Sequence, residues 1–349
     1  FLEKKYAPKL LKFKYIVWAL FVIWYGIAIW LVVAKLDNNA TLEDFIPTDS
    51  ELYETNEANK KYFPDTGATA HLYLGEIDYQ GRADYLDGVA DLITEYPDLA
   101  PFLVENNLPY SECWPLYRAS GFDNLTEWVL FPENRRFSND FAIQNGVIKS
   151  SKFITIPLIP MNSASDKVDS MDACRDVAES LEIRWTSVSY SNDFIEWDQI
   201  AVITTSLIRS LILSVLAIAI VTIYFLESFR VGLIVTVLVI MTEISIMAFM
   251  PIWGIRLDTV SSVYLVIAIG LAVDYSLHIA HAFTKNNLTP EQALGQVGGS
   301  VLNGATTTFL AILVLGFSTS YVFVVFFRQM LTLTIFSLLH GFILLPTLL

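Results

Sequence analysis

The amino-acid sequence predicts a polytopic α-helical membrane protein, six transmembrane helices with an α+β domain inserted after the first of them. Three observations predict this. The 349 residues are 54% hydrophobic with positive mean hydropathy, more apolar than a water-soluble chain of this length. Apolar runs of about 20 residues recur, each long enough to cross a bilayer core of about 30 Å as a helix. Charge is also partitioned: residues 37–200 hold 30 acidic and 11 basic side chains, against 6 and 11 in the remainder. The overall net charge of −14 therefore hides a water-soluble acidic segment set into a mildly basic membrane part. That acidic surface excludes nucleic acid as a partner.

Taken in order, Phe1 to Lys14 carries five lysines and one glutamate. Pro8, Leu10 and Leu11 make it a short amphipathic lead-in. Tyr15 to Ala34 is the first span, and its basic flank places the N-terminus of this chain in the cytoplasm. The boundaries follow: lead-in and first span over 1–36, an extracytoplasmic (lumenal) domain over 37–200, a five-helix membrane bundle over 201–349. The chain opens without a starting Met and closes on an apolar run, which reads as a piece of a longer protein. The membrane is the plasma membrane or an endomembrane.

Inside 37–200, His71–Ile77 alternates like a strand and Gly81–Tyr96 has helical periodicity. Gly146–Pro157 reads as a strand, Lys167–Leu181 as a helix and Ile183–Tyr190 as a strand. Strand–helix followed by strand–helix–strand predicts a ferredoxin-like α+β domain. Residues 98–140 read as an insertion with short helices. Asn39 and Asn124 head glycosylation sequons in this lumenal domain, which makes the protein a glycoprotein; Asn287 heads a third on the cytoplasmic side. The two cysteines, Cys113 and Cys174, lie in the domain placed in an oxidising compartment. They form a disulfide or stand as two buried thiols. Neither has metal-ligand spacing, so no metal is expected, and no cofactor.

From Trp197 the chain turns apolar again. Helix two is expected over about Leu207–Phe225, helix three over Val231–Met250 and helix four over Val260–Phe283. Thr289–Ser300 is expected as a separate cytoplasmic helix with Thr289 as N-cap. Helix five follows over Val301–Phe317. Ser318–Arg328 reads as an interfacial turn, and helix six covers Met330–Leu349.

Helix four organises the rest. Asp274 is the one full charge within it, with His278 and His281 beyond. At about 100° per residue Gly270, Asp274, His278 and His281 share one sector about 80° wide. A carboxylate at mid-membrane costs about 2.5–3.5 kcal/mol on insertion scales. Either neighbouring hydroxyls satisfy it structurally, or it is a proton or cation site with His278 and His281 as the route to one membrane face. Glu243 in helix three is the other deep acid, either shielded, protonated and hydrogen-bonded or a partner to Asp274. In helix five Gly304–Thr308 supplies small and hydroxyl residues; with Gly270, Gly304 suits close helix packing at the site, while Thr307 is a candidate to solvate a cation. His340 and Gly341 read as packing and a satisfied histidine. No nucleophile–base spacing stands out, so an enzyme is not expected.

These residues carry a resemblance. Gly270-xxx-Asp274, SLHIAHAF, GSV…GATTTF, FSTSYVFVVFFRQM and HGFILLPTLL, with PIWGIRLDTVSSV and the opening FLEKKYAPKLLK, resemble the Niemann–Pick C / Patched / Dispatched family of the resistance-nodulation-division superfamily. The resemblance runs end to end, strongest from Ile252 onward and weakest over 98–145. It implies the C-terminal half of a twelve-span protein, spans seven to twelve plus the second extracytoplasmic domain, partnered by the N-terminal half. The HGFILLPTLL ending matches the second half better than the first, which places the family's sterol-sensing spans outside this chain. It further implies transport of sterol or another lipid driven by a proton or sodium gradient through Asp274, where many relatives have Glu. His278 matches a position often His; Glu243 is less regular. A Patched-type receptor that binds sterol without net transport is the alternative, and a scaffold that has lost coupling is a third.

Overall fold

The computed structural model describes residues 1–39, 45–62, 67–104, 111–161, 163–285 and 288–349; the sequon at Asn287 falls outside the described residues. A π-helical turn, Leu2–Tyr6, leads into α1 (Ala7–Lys12), α2 (Lys14–Lys35) and α3 (Glu51–Tyr62). Then come β1 (Thr69–Leu74), α4 (Ala83–Glu95), α5 (Cys113–Ser120), α6 (Leu125–Leu130), β2 (Phe141–Gln144), β3 (Val147–Pro157), α7 (Ala164–Ser180) and β4 (Ser187–Tyr190). The last part runs through α8 (Phe194–Leu226), α9 (Phe229–Ile252), α10 (Thr259–Lys285), α11 (Pro290–Leu313) and α12 (Tyr321–Leu339). A π-helical turn at His340–Leu344 joins α12 to α13 (Leu345–Leu348). Two compact units result: Phe1–Asn56 with Val202–Leu349, and Glu57–Ala201.

Among the described residues of the chain, six helices are long and apolar enough to cross a membrane: α2, α8, α9, α10, α11 continued to Phe317, and α12 continued to Leu348. In the first unit α9 is the central helix, packed against α2, α10 and α12, while α10 also packs against α11. Its buried residues Val235, Leu238, Val239 and Ile246 face neighbours on several sides, so α9 is apolar all round rather than amphipathic. By contrast α2 leaves Tyr15, Ile16, Leu20, Val22 and Ile23 exposed, an apolar surface suited to lipid. Close helix approach is set by small residues. A Cβ at Gly232 would lie 2.8 Å from Ile223 Cα, so the α8–α9 crossing there excludes any side chain. α10 begins on a reciprocal cap: Ser261 N–H donates to Asp258 Oδ1 at 2.7 Å and Asp258 N–H to Ser261 Oγ at 2.9 Å. The Tyr321 hydroxyl donates to the same Asp258 carboxylate.

Helix existence follows the apolar runs, but several boundaries differ from those expected. Helix two starts at Phe194 rather than Leu207, because its polar first turns carry no breaker. The separate helix expected over Thr289–Ser300 is the first half of α11, which runs unbroken from Pro290. Thr289 caps it as expected: Gln292 N–H donates to Thr289 Oγ1 at 3.4 Å and Thr289 N–H to Gln292 Oε1 at 3.1 Å. Gly298 and Gly299 do not end it, since glycine in a helix costs only about 1 kcal/mol and both are covered by further turns. Tyr321–Arg328 is helical rather than an interfacial turn, and Arg328 donates to the Trp253 carbonyl at 2.7 Å.

The second unit holds a four-stranded antiparallel sheet in the order β2-β3-β1-β4. In β1, Ala70, Leu72 and Leu74 are fully buried while His71 and Tyr73 are half-buried, the period-two alternation of a one-sided sheet. Trp114 of α5 stacks on Phe153 of β3 at 4.7 Å, and Phe141 of β2 stacks on the same ring at 5.8 Å. The strand β2 was absent from the sequence reading. Its signal is the Asn145–Gly146 pair, both at positive φ (53° and 73°), which closes a tight hairpin to β3.

Cys113 opens α5, Cys174 sits in the middle of α7, and both are free thiols at 0% exposure. The candidate disulfide is not formed: both cysteines stand as free thiols in one buried core. Burial pushes each thiol up to about 12, so at pH 8 only about one in ten thousand is thiolate. In the native protein at pH 8 neither cysteine is therefore expected to take up a maleimide. After denaturation without reductant, intact-mass analysis should show two modifications; a native protein that stays unmodified after denaturation would contain the bond.

Candidate functional site

The functional side chains are set by the two faces of α10. One face carries Ala268, Ala272, Ser276 and Ala280, all buried at four-residue intervals. Such a small-residue ladder lets neighbouring helices close on α10. At the α12 side, a Cβ on Gly341 would lie 3.2 Å from the Tyr275 carbonyl oxygen. The other face carries Asp274 and His278, both exposed. They open into a cavity of about 430 Å³ whose remaining walls include Ser300, Gly304 and Thr307 of α11 and Met330 and Leu333 of α12.

The threonines on α11 are prepared to accept. Thr307 Oγ1 donates to the Gly304 carbonyl at 2.7 Å, as does Thr308 Oγ1 at 3.0 Å. Their hydrogens are thus used on their own helix, and the lone pairs remain for a cation or a proton donor in the cavity. With the Asp274 carboxylate, these hydroxyls put oxygens into an otherwise largely apolar chamber.

Of the residues singled out in the sequence, the structure brings together Asp274, His278, Gly304 and Thr307. It does not bring in His281, which is half-buried with its ring 6.4 Å from that of Phe225 on α8. The helical wheel gives His281 the right angle, but about two turns beyond Asp274 its neighbour is α8 rather than the cavity. Gly270 and Gly304 are not packing contacts here: a Cβ at either would meet no heavy atom within 4 Å. Both lie on open surface, and Gly341 makes the close approach instead. Glu243 is 4% exposed, lies outside the Asp274 cavity, and neither carboxylate oxygen has a hydrogen-bond partner.

A second polar centre was not assembled from the sequence. His340 Nε2 lies 2.6 Å from the Tyr25 hydroxyl and Nδ1 2.7 Å from Thr242 Oγ1. Thr242 Oγ1 also donates to the Leu238 carbonyl at 2.9 Å. The Tyr25 hydroxyl likewise donates to the Met241 carbonyl at 2.8 Å, and each ring nitrogen of His340 has one hydroxyl partner. Trp24 Nε1 adds a bond to Ser245 Oγ at 3.1 Å, so α2, α9 and the end of α12 are tied by side chains alone. His340 is the satisfied histidine that was expected. Its partner Tyr25 was hidden among the many aromatics of the first span.

Six helices long and apolar enough to cross a membrane, an acid opening into a mid-helix cavity, and a sheet unit inserted after the first span mark an integral membrane protein. No model of a known protein family matches the sequence. A stretch of 204 residues, 54% of this chain and 16% of the relative, is 30% identical to NPC intracellular cholesterol transporter 1 of Sus scrofa. Another of 129 residues, 36% of this chain and 11% of the relative, is 37% identical to Protein patched homolog 2 of Mus musculus. The fold matches the solved hedgehog release protein Disp from the water bear Hypsibius dujardini over 98% of this chain and 48% of that one. The TM-score is 0.65 at 17% identity. The chain is thus similar in sequence to Niemann–Pick C and Patched proteins and in fold to a Dispatched protein. It spans about half the length of that solved structure, and the matched stretches cover far less than two thirds of the curated relatives.

The Tyr25–His340–Thr242 chain makes a testable claim on stability. Tyr25→Phe removes the hydroxyl and leaves His340 Nε2 buried without a partner, a loss of about 1–3 kcal/mol. A matching drop in the thermal midpoint of the purified protein is expected, with Tyr25→Phe and Thr242→Val non-additive because they share His340.

Proposed function

We propose that this chain is the C-terminal half of a transporter that moves sterol or another lipid at the expense of a proton or sodium gradient. Asp274 is the ion-binding acid in this reading. The observation that carries it is the chamber that Asp274 shares with His278 and Thr307. A carboxylate that exchanges with an ion needs access and replaceable oxygen partners, and this one faces both. Thr307 supplies lone pairs across the cavity, and His278, one turn along α10, passes protons toward the end of the helix, with His281 beyond it. Glu243, enclosed on the central helix, serves as a separate intramembrane acid.

The inserted domain, over about residues 37–200, is of ferredoxin-like class in this proposal. Its βαββαβ chain order and its β2-β3-β1-β4 sheet order support that class. It lies on the lumenal or extracellular side and passes lipid through a tunnel formed with the N-terminal half. One relative's name supports a lipid-related cargo: it is a cholesterol transporter.

The assay is lipid movement by the full-length protein in vesicles under an imposed proton or sodium gradient. Asp274→Asn keeps the shape and hydrogen bonding but holds neither a proton nor a cation by charge. It is expected to fold and bind lipid normally while its transport falls to the no-gradient background. Normal transport by Asp274→Asn would sink the ion-site reading. A protein that binds sterol but moves none under either gradient is instead the Patched-type receptor.

The orientation has its own test. Asn124 caps α6 by accepting from Glu127 N–H through Oδ1 at 3.3 Å, which leaves Nδ2 for a sugar. Expressed in a eukaryotic host, the protein should carry a glycan at Asn124 and none at Asn287. The reverse pattern, seen by glycopeptide mass spectrometry, inverts the topology.

A further inference from the structure

The basic lead-in forms a groove that the transport reading leaves unused. Lys4, Lys5, Lys9 and Lys12 are all exposed, whereas Ala7 between them is fully buried. The lead-in is seated on α11. A Cβ at Gly295 would lie 2.7 Å from Glu3 Cβ, and one at Gly298 would lie 2.8 Å from Leu2 Cδ1. Tyr6 fixes it further, its hydroxyl donating to the Phe342 carbonyl at 3.3 Å. The one acid of the segment, Glu3, thus lies against α11, and the lysines keep the open side.

Between α1 and α2 the backbone breaks at Phe13 (φ −104°, ψ 20°). Along the lead-in, up to this break, lies a cavity of about 440 Å³, lined by Lys5, Tyr6, Lys9, Leu10 and Phe13 together with Phe1. Lys5 and Lys9 stand four residues apart, a spacing at which two ammonium groups reach one phosphate. The floor at Leu10 and Phe13 is apolar. It continues onto α2, where Tyr15, Ile16 and Leu20 are 71%, 58% and 61% exposed. Lys14 lies 5.3 Å from the Tyr15 ring, as basic and aromatic side chains pair at a bilayer interface. A paired cationic mouth that opens onto an apolar, lipid-facing helix fits an anionic amphiphile. A zwitterionic headgroup without net negative charge would gain less against Lys5 and Lys9.

We propose that this groove binds an anionic glycerophospholipid of the surrounding membrane, its phosphate between Lys5 and Lys9 and its acyl chains along the exposed face of α2. The seat on α11 gives binding a place to act, because Val297, Ser300 and Val301, interleaved with Gly295 and Gly298, line the Asp274 cavity.

The test uses the full-length protein in nanodiscs containing spin-labelled phosphatidylserine or spin-labelled phosphatidylcholine, with the motionally restricted lipid read by electron paramagnetic resonance. Wild type should select phosphatidylserine. Lys5→Gln/Lys9→Gln should lower that site's affinity by about thirtyfold, as expected for two lysines worth ~1 kcal/mol each near an anionic membrane. Lys5→Arg/Lys9→Arg should keep the selectivity, and inorganic phosphate at millimolar concentration should not compete. Equal selectivity in wild type and the glutamine variant overturns the proposal, as does loss in the arginine variant or displacement by free phosphate. A control, Lys4→Gln, points away from the groove and should retain most of the selectivity; loss as large as in the double variant reduces the site to diffuse charge.

Discussion

A bilayer core offers no water to a polar group, and that constraint decides where the polar side chains of the membrane unit sit. The hydroxyls of Thr222, Thr236, Thr242, Ser245 and Thr334 each donate to a carbonyl four residues back on their own helix. Such bonds let a helix carry hydroxyls through an apolar region at little cost, since no neighbour is required. Several groups without that local solution are answered across helices. Trp24 and Tyr25 on α2 reach Ser245, Thr242 and His340 as one connected set. The interhelical geometry of α2, α9 and α12 is thereby specified as well as stabilised.

The same constraint gives the spans their legibility. Long apolar runs are visible in any sequence because a membrane helix must be apolar along its length, and all six lie where apolar runs were read. Their ends were less legible. The bilayer selects only the middle of a helix, while α8 and α11 carry on through polar stretches with no proline or cap to stop them. In the second unit β2 was missed for a different reason. Four residues are too short to show periodicity, and only the Asn145–Gly146 turn announces the hairpin.

Half of the site was legible and half was not. Asp274 stood out as a charge in a span, and a wheel placed His278 on its face. An angular sector says nothing about what lies opposite, however, and that decides function. His281 has the angle and meets Phe225; Thr307 has no charge and meets Asp274's cavity. Gly270 and Gly304 looked like packing positions by composition, yet the close contacts fall at Gly232, Gly295, Gly298 and Gly341. A glycine's role depends on which backbone crosses it, which is a property of the fold and not of the local sequence.

The two intramembrane acids show how far environment, rather than residue type, assigns a role. Asp274 and Glu243 are one methylene apart in chemistry and sit on neighbouring helices. Asp274 opens to a cavity with hydroxyl oxygens across from it, so a proton or cation arrives and leaves without moving a helix. Glu243 is enclosed on the most buried helix, with both oxygens unpartnered. Glu243 is 4% exposed and does not line the Asp274 cavity. An acid of that kind responds to helix separation and not to ion concentration directly. If the helices of this unit shift during a transport cycle, Asp274 is the group that senses the gradient, and Glu243 is the one whose surroundings change with the conformation. In the transport reading proposed above, energy enters at Asp274, while Glu243 lies enclosed in the packing of the bundle.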